Sequence, residues 1–132
     1  MNKNYKITII TVTKNSEKYI EENILSVFNQ RYRNYEHIII DGGSIDRTLD
    51  ILEQYNFKNK IIISEPDEGI YDAMNKGIKL ATGDIITILN SDDIYQSPNT
   101  ISNVMIDIKN NPNNDIFYGD VVVYNKNNFK II

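Results

Sequence analysis

The chain contains no cysteine among its 132 residues, which excludes both a disulfide framework and a thiolate metal site. It also lacks a basic surplus. Lys and Arg number 14 against 18 Asp and Glu, a net charge of −4, and the cations are scattered. No concentrated patch of the kind a nucleic-acid surface needs is present. No apolar run nears the roughly 20 residues that cross a bilayer. Met1-Asn2-Lys3-Asn4 has none of the apolar core of a signal peptide. Cytoplasmic residence is the resulting expectation.

Several loop signatures are missing as well. No Gly-x-Gly-x-x-Gly follows an apolar run, which removes the usual dinucleotide-binding fingerprint. The first predicted strand leads into Thr11 to Asn15, with neither an acidic pair nor a glycine-rich, arginine-containing phosphate loop. A phosphoacceptor signalling domain would need that pair, and an Asp where Ser64-Glu65-Pro66 stands. A nucleotidyltransferase of related fold would need the loop. The sole histidine, His37, falls inside a predicted strand, an edge or core position rather than a catalytic one.

The length suits one domain with a real core. Ile7 to Val12 is a β-branched run suited to a strand buried on both faces. Ser16 is the expected cap of a helix with Tyr19, Ile20, Ile24, Val27 and Phe28 on one side. Tyr35 to Ile40 gives a second strand, ending at Asp41-Gly42-Gly43-Ser44. Ser44 is the expected cap of a helix carrying Leu49, Leu52 and Tyr55. Lys60 to Ser64 is a third strand, Gly69 to Ala81 a third helix closed by Gly83, and Ile85 to Leu89 a fourth strand. Ser97-Pro98 opens a fourth helix, with proline at its first position. Asn110 to Asn114, with Pro112, reads as a surface turn. Asp115 to Tyr124 supplies strand material split by Gly119.

Strand alternating with helix predicts an α/β fold, a mostly parallel, doubly wound sheet with helices on both faces. Right-handed crossovers bring the loops after the strands to one edge. Thr11 to Asn15, Asp41 to Ser44, Glu65 to Asp72 and Asn90 to Asp93 therefore converge. Ligands of open α/β sheets bind at that edge. There the run Leu89-Asn90-Ser91-Asp92-Asp93 places two adjacent carboxylates after an apolar strand. Such charges are solvated, paired or bound to a cation, because burying them alone is costly. Two readings stand: a divalent cation held with substrate phosphates, or a solvated loop whose aspartates cap the next helix.

Taken together, these segments resemble the nucleotide-sugar-binding half of family 2 glycosyltransferases with the GT-A fold. The resemblance rests on Ile7 to Asn15, on Ile38 to Thr48, and on Gly69-Ile70-Tyr71-Asp72-Ala73-Met74-Asn75-Lys76-Gly77-Ile78. It rests also on Ala81-Thr82-Gly83-Asp84 leading into Leu89 to Asp93, and it covers nearly the whole chain. It implies that Val12 and Thr13 lie against the nucleotide and that Asp41 accepts a hydrogen bond from the uracil ring. A carboxylate suits an imide N–H because the charge-assisted bond is shorter and stronger. Many relatives carry two acids there, whereas this chain has Gly42 second.

The same resemblance makes Asp92 a ligand of Mn2+ or Mg2+, to which oxygen ligands are suited. Asp93 becomes a second ligand or a ribose contact. Asn90 replaces the usual first acid of an acid-any-acid triplet and, with Ser91, belongs to the donor site. Asp72 and Asn75 line the donor pocket, and Met74 stands where relatives often place an arginine. Plainer roles remain open for several of these residues. Thr13 and Asp41 can be turn caps, Asp72 and Asn75 a helix cap and a tertiary hydrogen bond, and Lys76 a solvated lysine.

The implied reaction moves a sugar from a UDP-linked donor to a hydroxyl of a saccharide or lipid-linked saccharide, with inversion, in bacterial-type polysaccharide or glycoconjugate synthesis. The metal would neutralise charge on the departing diphosphate. The acceptor needs a general base, which inverting relatives carry in the second half of the catalytic domain. Residues 1–132 are thus expected to form one donor-binding domain that lacks the acceptor-binding half. Asp120, within predicted strand material, is not that base. An incomplete sheet would leave apolar surface open and favour self-association. Relatives that work beside membranes make the inner membrane face a further expected location. The alternative function is a nucleotide-binding or regulatory α/β module without catalysis.

Overall fold

The computed structural model describes residues 3–125 and 128–131, and its centre is a four-stranded parallel sheet. Strands β1 (Ile7–Thr13), β2 (Tyr35–Asp41), β3 (Lys60–Ser64) and β4 (Ile85–Ile88) lie in the order β3-β2-β1-β4. The register sets Ile10 beside both Ile38 and Ile88, and Ile38 beside Ile61. The chain winds outward from β1 through β2 to β3, then returns to β1's other side as β4. That reversal between β1 and β4 is the switch point at which open sheets bind ligands.

Helices cover the two faces unequally. On one face α1 (Ile20–Phe28) and α2 (Thr48–Gln54) bring Ile20, Ile24 and Leu52 onto Ile39. On the same face α4 (Thr100–Asn110) joins them, packing Ile101, Met105 and Ile108 against Ile7, Ile9 and Tyr35. Among the described residues the other face has α3 (Ile70–Leu80) alone, with Ala73 against Ile10, Val12, Ile38 and Ile40. Covered on both sides, β1 and β2 are buried along their whole length. A single helix cannot span the second face, so Ile61, Ile86 and Ile88 stay exposed beside it. No helix among the described residues is long and apolar enough to cross a membrane.

A polar clamp closes the N-terminal edge of the sheet. Burial pushes the Glu36 carboxyl up, but donors from Lys6 Nζ (2.7 Å), Thr8 Oγ1 (2.6 Å) and Thr82 N (2.7 Å) outweigh it and hold the group at about 2. The clamp ties β1 and β2 to the turn that enters β4.

Four local expectations are corrected. First, α1 begins at Ile20 without a side-chain cap, and the Ser16 carbonyl instead accepts from the N–H groups of Tyr19 and Ile20. Second, α2 begins at Thr48, whose N–H is taken by Asp46 Oδ1 at 3.0 Å rather than by Ser44. Third, α4 begins at Thr100, so Pro98 sits in a preceding turn where Ser97 Oγ accepts from Asn99 N. In the first two cases the hydroxyls are engaged in tertiary bonds, which outcompete the local cap. Fourth, Asp115 to Val121 is not strand. The only strand begun there is β5 (Val122–Asn125), antiparallel to β6 (Asn128–Ile131) and separate from the main sheet. Ile116, Tyr118 and Val121 lie exposed instead of pairing, and β-propensity without a neighbouring strand does not make one. Asp120 accordingly precedes β5.

Candidate functional site

The loops after the four strands are bonded to one another at the C-terminal edge. Asn15, in the left-handed region at φ 51°, donates its N–H to Ser44 Oγ (2.8 Å) and accepts from Ile45 N on Oδ1 (2.9 Å). Ser16 N donates to Thr48 Oγ1 at 2.8 Å. Ser16 Oγ meets Ser91 Oγ at 2.9 Å, which joins the loop after β1 to the loop after β4. The loop after β3 is joined through Asp41, whose backbone oxygen accepts from Glu65 N at 3.0 Å. Convergence is therefore a matter of named bonds, not of topology alone.

The acidic loop is held from below. Asn23 of α1 is wholly buried and donates through Nδ2 to the backbone oxygens of Asn90 and Asp93, each at 2.8 Å. Its Oδ1 accepts from Thr11 Oγ1 at 3.3 Å, which leaves the Thr11 oxygen to accept from His37 Nε2 at 2.8 Å. Burial, then the Lys60 charge, push the His37 imidazole down to about 3, so it is neutral and serves this chain of bonds. Asp93 N donates back to Asn90 O at 2.9 Å and closes the turn.

Asp92 and Asp93 stand exposed on that turn. Partial desolvation at the foot of the exposed side chain, then the Asp92 charge, push the Asp93 carboxyl above its ordinary value. Three buried side-chain oxygens have no hydrogen-bond partner among the described residues: Tyr95 Oη, Thr13 Oγ1 at the end of β1, and Asn90 Oδ1 in the loop after β4. Buried orphans of this kind are rare enough to need a cause. A cation beside the paired carboxylates, with its waters or a ligand hydroxyl, would satisfy the last two and the carboxylates, and the donor set is all oxygen. Among the described residues no group of three or more His, Cys, Asp or Glu could hold a metal alone. A cation here would therefore share its coordination with ligand phosphate oxygens, as Mg2+ commonly does.

The remaining sequence-predicted residues are placed as follows. Asp41 is wholly buried, and its oxygens accept from Gly43 N (3.1 Å), Ser44 N (3.0 Å), Ser64 Oγ (2.7 Å) and Ser44 Oγ. Val12 packs into the apolar cluster beneath α3. Asp72 accepts from Glu68 N (3.1 Å) and pairs with Lys76 (3.3 Å), which together hold its carboxyl below the usual range. Lys76 also pairs with Glu65 at 3.0 Å and so is not simply solvated. Asn75 is exposed. Sequence pattern does not single out Asn23 or Asp67, and it points to Ser16 only as a helix cap. Asn23 had a signal, a polar residue beside Ile20, Ile24 and Val27 on the apolar stripe of α1. A cleft of about 390 Å3 between Lys6, Arg33, Glu36 and Lys58 lies at the opposite edge of the strands, where Glu36 is already saturated.

The sequence model of glycosyl transferase family 2 matches residues 8–132. A PGL/p-HBAD biosynthesis glycosyltransferase of Mycobacterium bovis is 35% identical over 123 residues, 91% of this chain and 48% of the relative. An uncharacterized glycosyltransferase of Haemophilus influenzae is 40% identical over 90 residues, 66% of this chain and 36% of its own length. The chain thus spans about half or less of these relatives. S. aureus TarS 1–349 in complex with UDP-GlcNAc superposes with a TM-score of 0.76 at 29% identity, over 81% of this chain and 32% of TarS 1–349. The mannosyltransferase PcManGT of Pyrobaculum calidifontis, in complex with GDP-Man and Mn2+, gives 0.71 at 25% identity, over 76% and 31%. The parallel sheet, its switch point and the motif order agree with these matches, and the chain belongs to glycosyl transferase family 2 with the GT-A fold.

Proposed function

We propose that this chain is the donor-binding portion of a glycosyltransferase that uses a divalent cation and a nucleotide-sugar donor, UDP-linked, to glycosylate an acceptor hydroxyl. The reading is carried by two unpartnered buried oxygens, Thr13 Oγ1 at the end of β1 and Asn90 Oδ1 in the loop after β4 that carries the exposed Asp92 and Asp93 carboxylates. It is supported by similar proteins of known structure that bind UDP-GlcNAc, or GDP-Man with Mn2+.

In this reading Asp92 is the principal cation ligand and Asp93 the second, or a ribose contact. When bound, the cation would offset the charge that grows on the departing diphosphate. The chain's own contribution is to fix that site before the donor arrives. Asn23 sets the turn, Asn90 offers its oxygen to a ribose hydroxyl or ligated water, and Thr13 faces the nucleotide. Such preorganisation matters because donors and charges already in place need no reorganisation during the reaction. The acceptor is a saccharide or lipid-linked saccharide, transfer inverts, and the base that takes the acceptor proton lies outside the described residues. The setting is cytoplasmic, against the inner membrane face where the acceptor is lipid-linked. Exposed Ile61, Ile86 and Ile88 make self-association of this chain a further part of the reading.

Calorimetric titration of UDP, with and without Mn2+, tests the core of it. Binding that requires Mn2+ and is lost in Asp92→Ala is the expected result. A folded chain that binds no UDP in either condition would leave a regulatory α/β module as the better account.

A further inference from the structure

Three polar side chains lie buried in a row from β2 through β1 to α1, a place that apolar residues normally fill. His37 of β2 is 3% exposed, and Thr11 of β1 and Asn23 of α1 are wholly buried. Buried polar groups are kept bonded, and the chemistry of these three gives each bond a direction.

The direction is set at the end nearest the acidic turn. The backbone oxygens of Asn90 and Asp93, each 2.8 Å from the Asn23 side chain, can only accept, so the amide nitrogen faces them. Asn23 Oδ1 is thereby left toward Thr11, and an amide oxygen has no proton to give. The longer contact between them, 3.3 Å, therefore takes the Thr11 proton. With that proton committed, Thr11 Oγ1 can only accept from His37 Nε2, at 2.8 Å. On the other side of β2 lies β3, where the register partner of His37 is Lys60. Burial, then that cation, keep the ring neutral, so it carries one N–H, on Nε2.

The opposite polarity would undo the grip on the turn. A ring protonated on Nδ1 would take the Thr11 proton at Nε2, and the Thr11 oxygen would accept from the Asn23 amide nitrogen. The amide oxygen would then stand against the Asn90 and Asp93 oxygens, with no proton between them. We infer that His37 is a positioning residue for the turn that carries Asp92 and Asp93. Its Nε2–H sends the Thr11 proton onto Asn23 Oδ1, which turns the amide nitrogen toward the Asn90 and Asp93 carbonyls. The inference rests on the donor-site reading above and adds to it a residue that reaches the turn only through Thr11 and Asn23.

The test joins the ring tautomer to the affinity for UDP with Mn2+. Nitrogen NMR of the unaltered chain, read through the ring carbon-bound protons, should show His37 protonated on Nε2 and not on Nδ1. In calorimetry His37→Met, which has no side-chain N–H, should bind UDP with Mn2+ about two- to thirtyfold more weakly, the range for coupling by residues that touch no ligand. Thr11→Val, which has no hydroxyl, should do the same. His37→Gln, whose amide N–H can stand in for Nε2–H, should restore the affinity although its melting temperature lies below that of the unaltered chain. A role in stability alone would tie affinity to melting temperature and give no such rescue. A ring protonated on Nδ1, or full affinity in a folded His37→Met or Thr11→Val, overturns the relay and leaves the donor site standing. Should neither variant fold, the tautomer decides. Failure of the folded, unaltered chain to bind UDP overturns both readings.

Discussion

The side chain of Asn23 determines where Asn90 can be: its amide donates at 2.8 Å to the Asn90 carbonyl and at 2.8 Å to that of Asp93. One buried group on α1 thus grips both ends of the turn that displays Asp92 and Asp93. Through Thr11, the same residue is bonded to the buried His37 in the middle of the sheet. The acidic loop is an extension of the core rather than a loose connection.

Asn23→Ala should therefore cost more than an ordinary surface change. It leaves the Asp93 carbonyl and the Thr11 hydroxyl proton without a partner and takes one of two donors from the Asn90 carbonyl, and each unsatisfied buried group costs about 1–3 kcal/mol. The urea midpoint should fall, and Mn2+-dependent nucleotide binding should weaken beyond what the lost stability explains. An unchanged midpoint would mean that water replaces the amide and that the turn holds itself.

Asp93 supplies a prediction about charge. Its carboxyl is raised by partial desolvation and then by Asp92, so Asp92→Asn removes the second cause. The Asp93 pKa should move down toward the ordinary carboxylate range in that variant, as read by carboxyl-carbon NMR titration. In the unaltered chain, cation-dependent nucleotide affinity should decline as acid protonates this group. Tighter binding at lower pH would contradict the assignment.

The parts of this fold that could be read from sequence are those fixed by local pattern. The β-branched run Ile7 to Val12 reads as a strand with both faces covered and Tyr35 to Ile40 as a second strand, and both are buried throughout. The acidic pair after Leu89 announced itself because adjacent carboxylates cannot be packed away. What stayed hidden depends on neighbours distant in the chain. Ser16 and Ser44 have the chemistry of helix caps, yet one meets Ser91 and the other Asp41 and Asn15. Asp67 gains its place only because Gly42, on a different loop, is bare. Asp115 to Val121 carries strand-forming residues that pair with no strand among the described residues.

Two glycines set how closely α3 and the turn before β4 approach β1, and they differ in what opposes them. A Cβ at Gly77 would come 2.6 Å from Ile10 Cγ2, a side-chain methyl that can shift. At Gly83 it would meet Thr8 N at 2.6 Å, Thr8 Oγ1 at 2.7 Å and Lys6 O at 2.9 Å, two of them backbone atoms, one in β1 and one in the residue that leads into it. Gly77→Ala should cost about 1–3 kcal/mol, the usual range for overpacking. Gly83→Ala should cost more, since the strand cannot yield without losing ladder bonds and the Gly83 N–H bond to Thr8 Oγ1. Thermal melts of the two variants settle the order; equal losses would show that the turn, not the strand, gives way.

His37 makes the fold sensitive to acid in a window that can be isolated. Burial, then Lys60, lower its pKa from 6.5 to about 3 in the folded chain, so the unfolded chain takes up a proton that the folded one refuses. Between those values the unfolded state binds more protons, and stability falls as pH falls. The slope approaches about 1.4 kcal/mol per pH unit for one proton. Glu36 acts in the same direction but lower. Its carboxyl is depressed from 4.5 to about 2, so its contribution is complete above 4.5 and is lost only as pH drops below that. From pH 6.5 to 4.5, then, His37 should dominate the loss. His37→Gln removes the titrating ring and keeps an N–H able to reach the Thr11 hydroxyl. It should flatten urea midpoints measured by circular dichroism across that window, starting from a lower stability at neutral pH because the larger ring is gone. A parent chain equally stable at both ends of the window would mean that the imidazole is reached by water and carries no linkage.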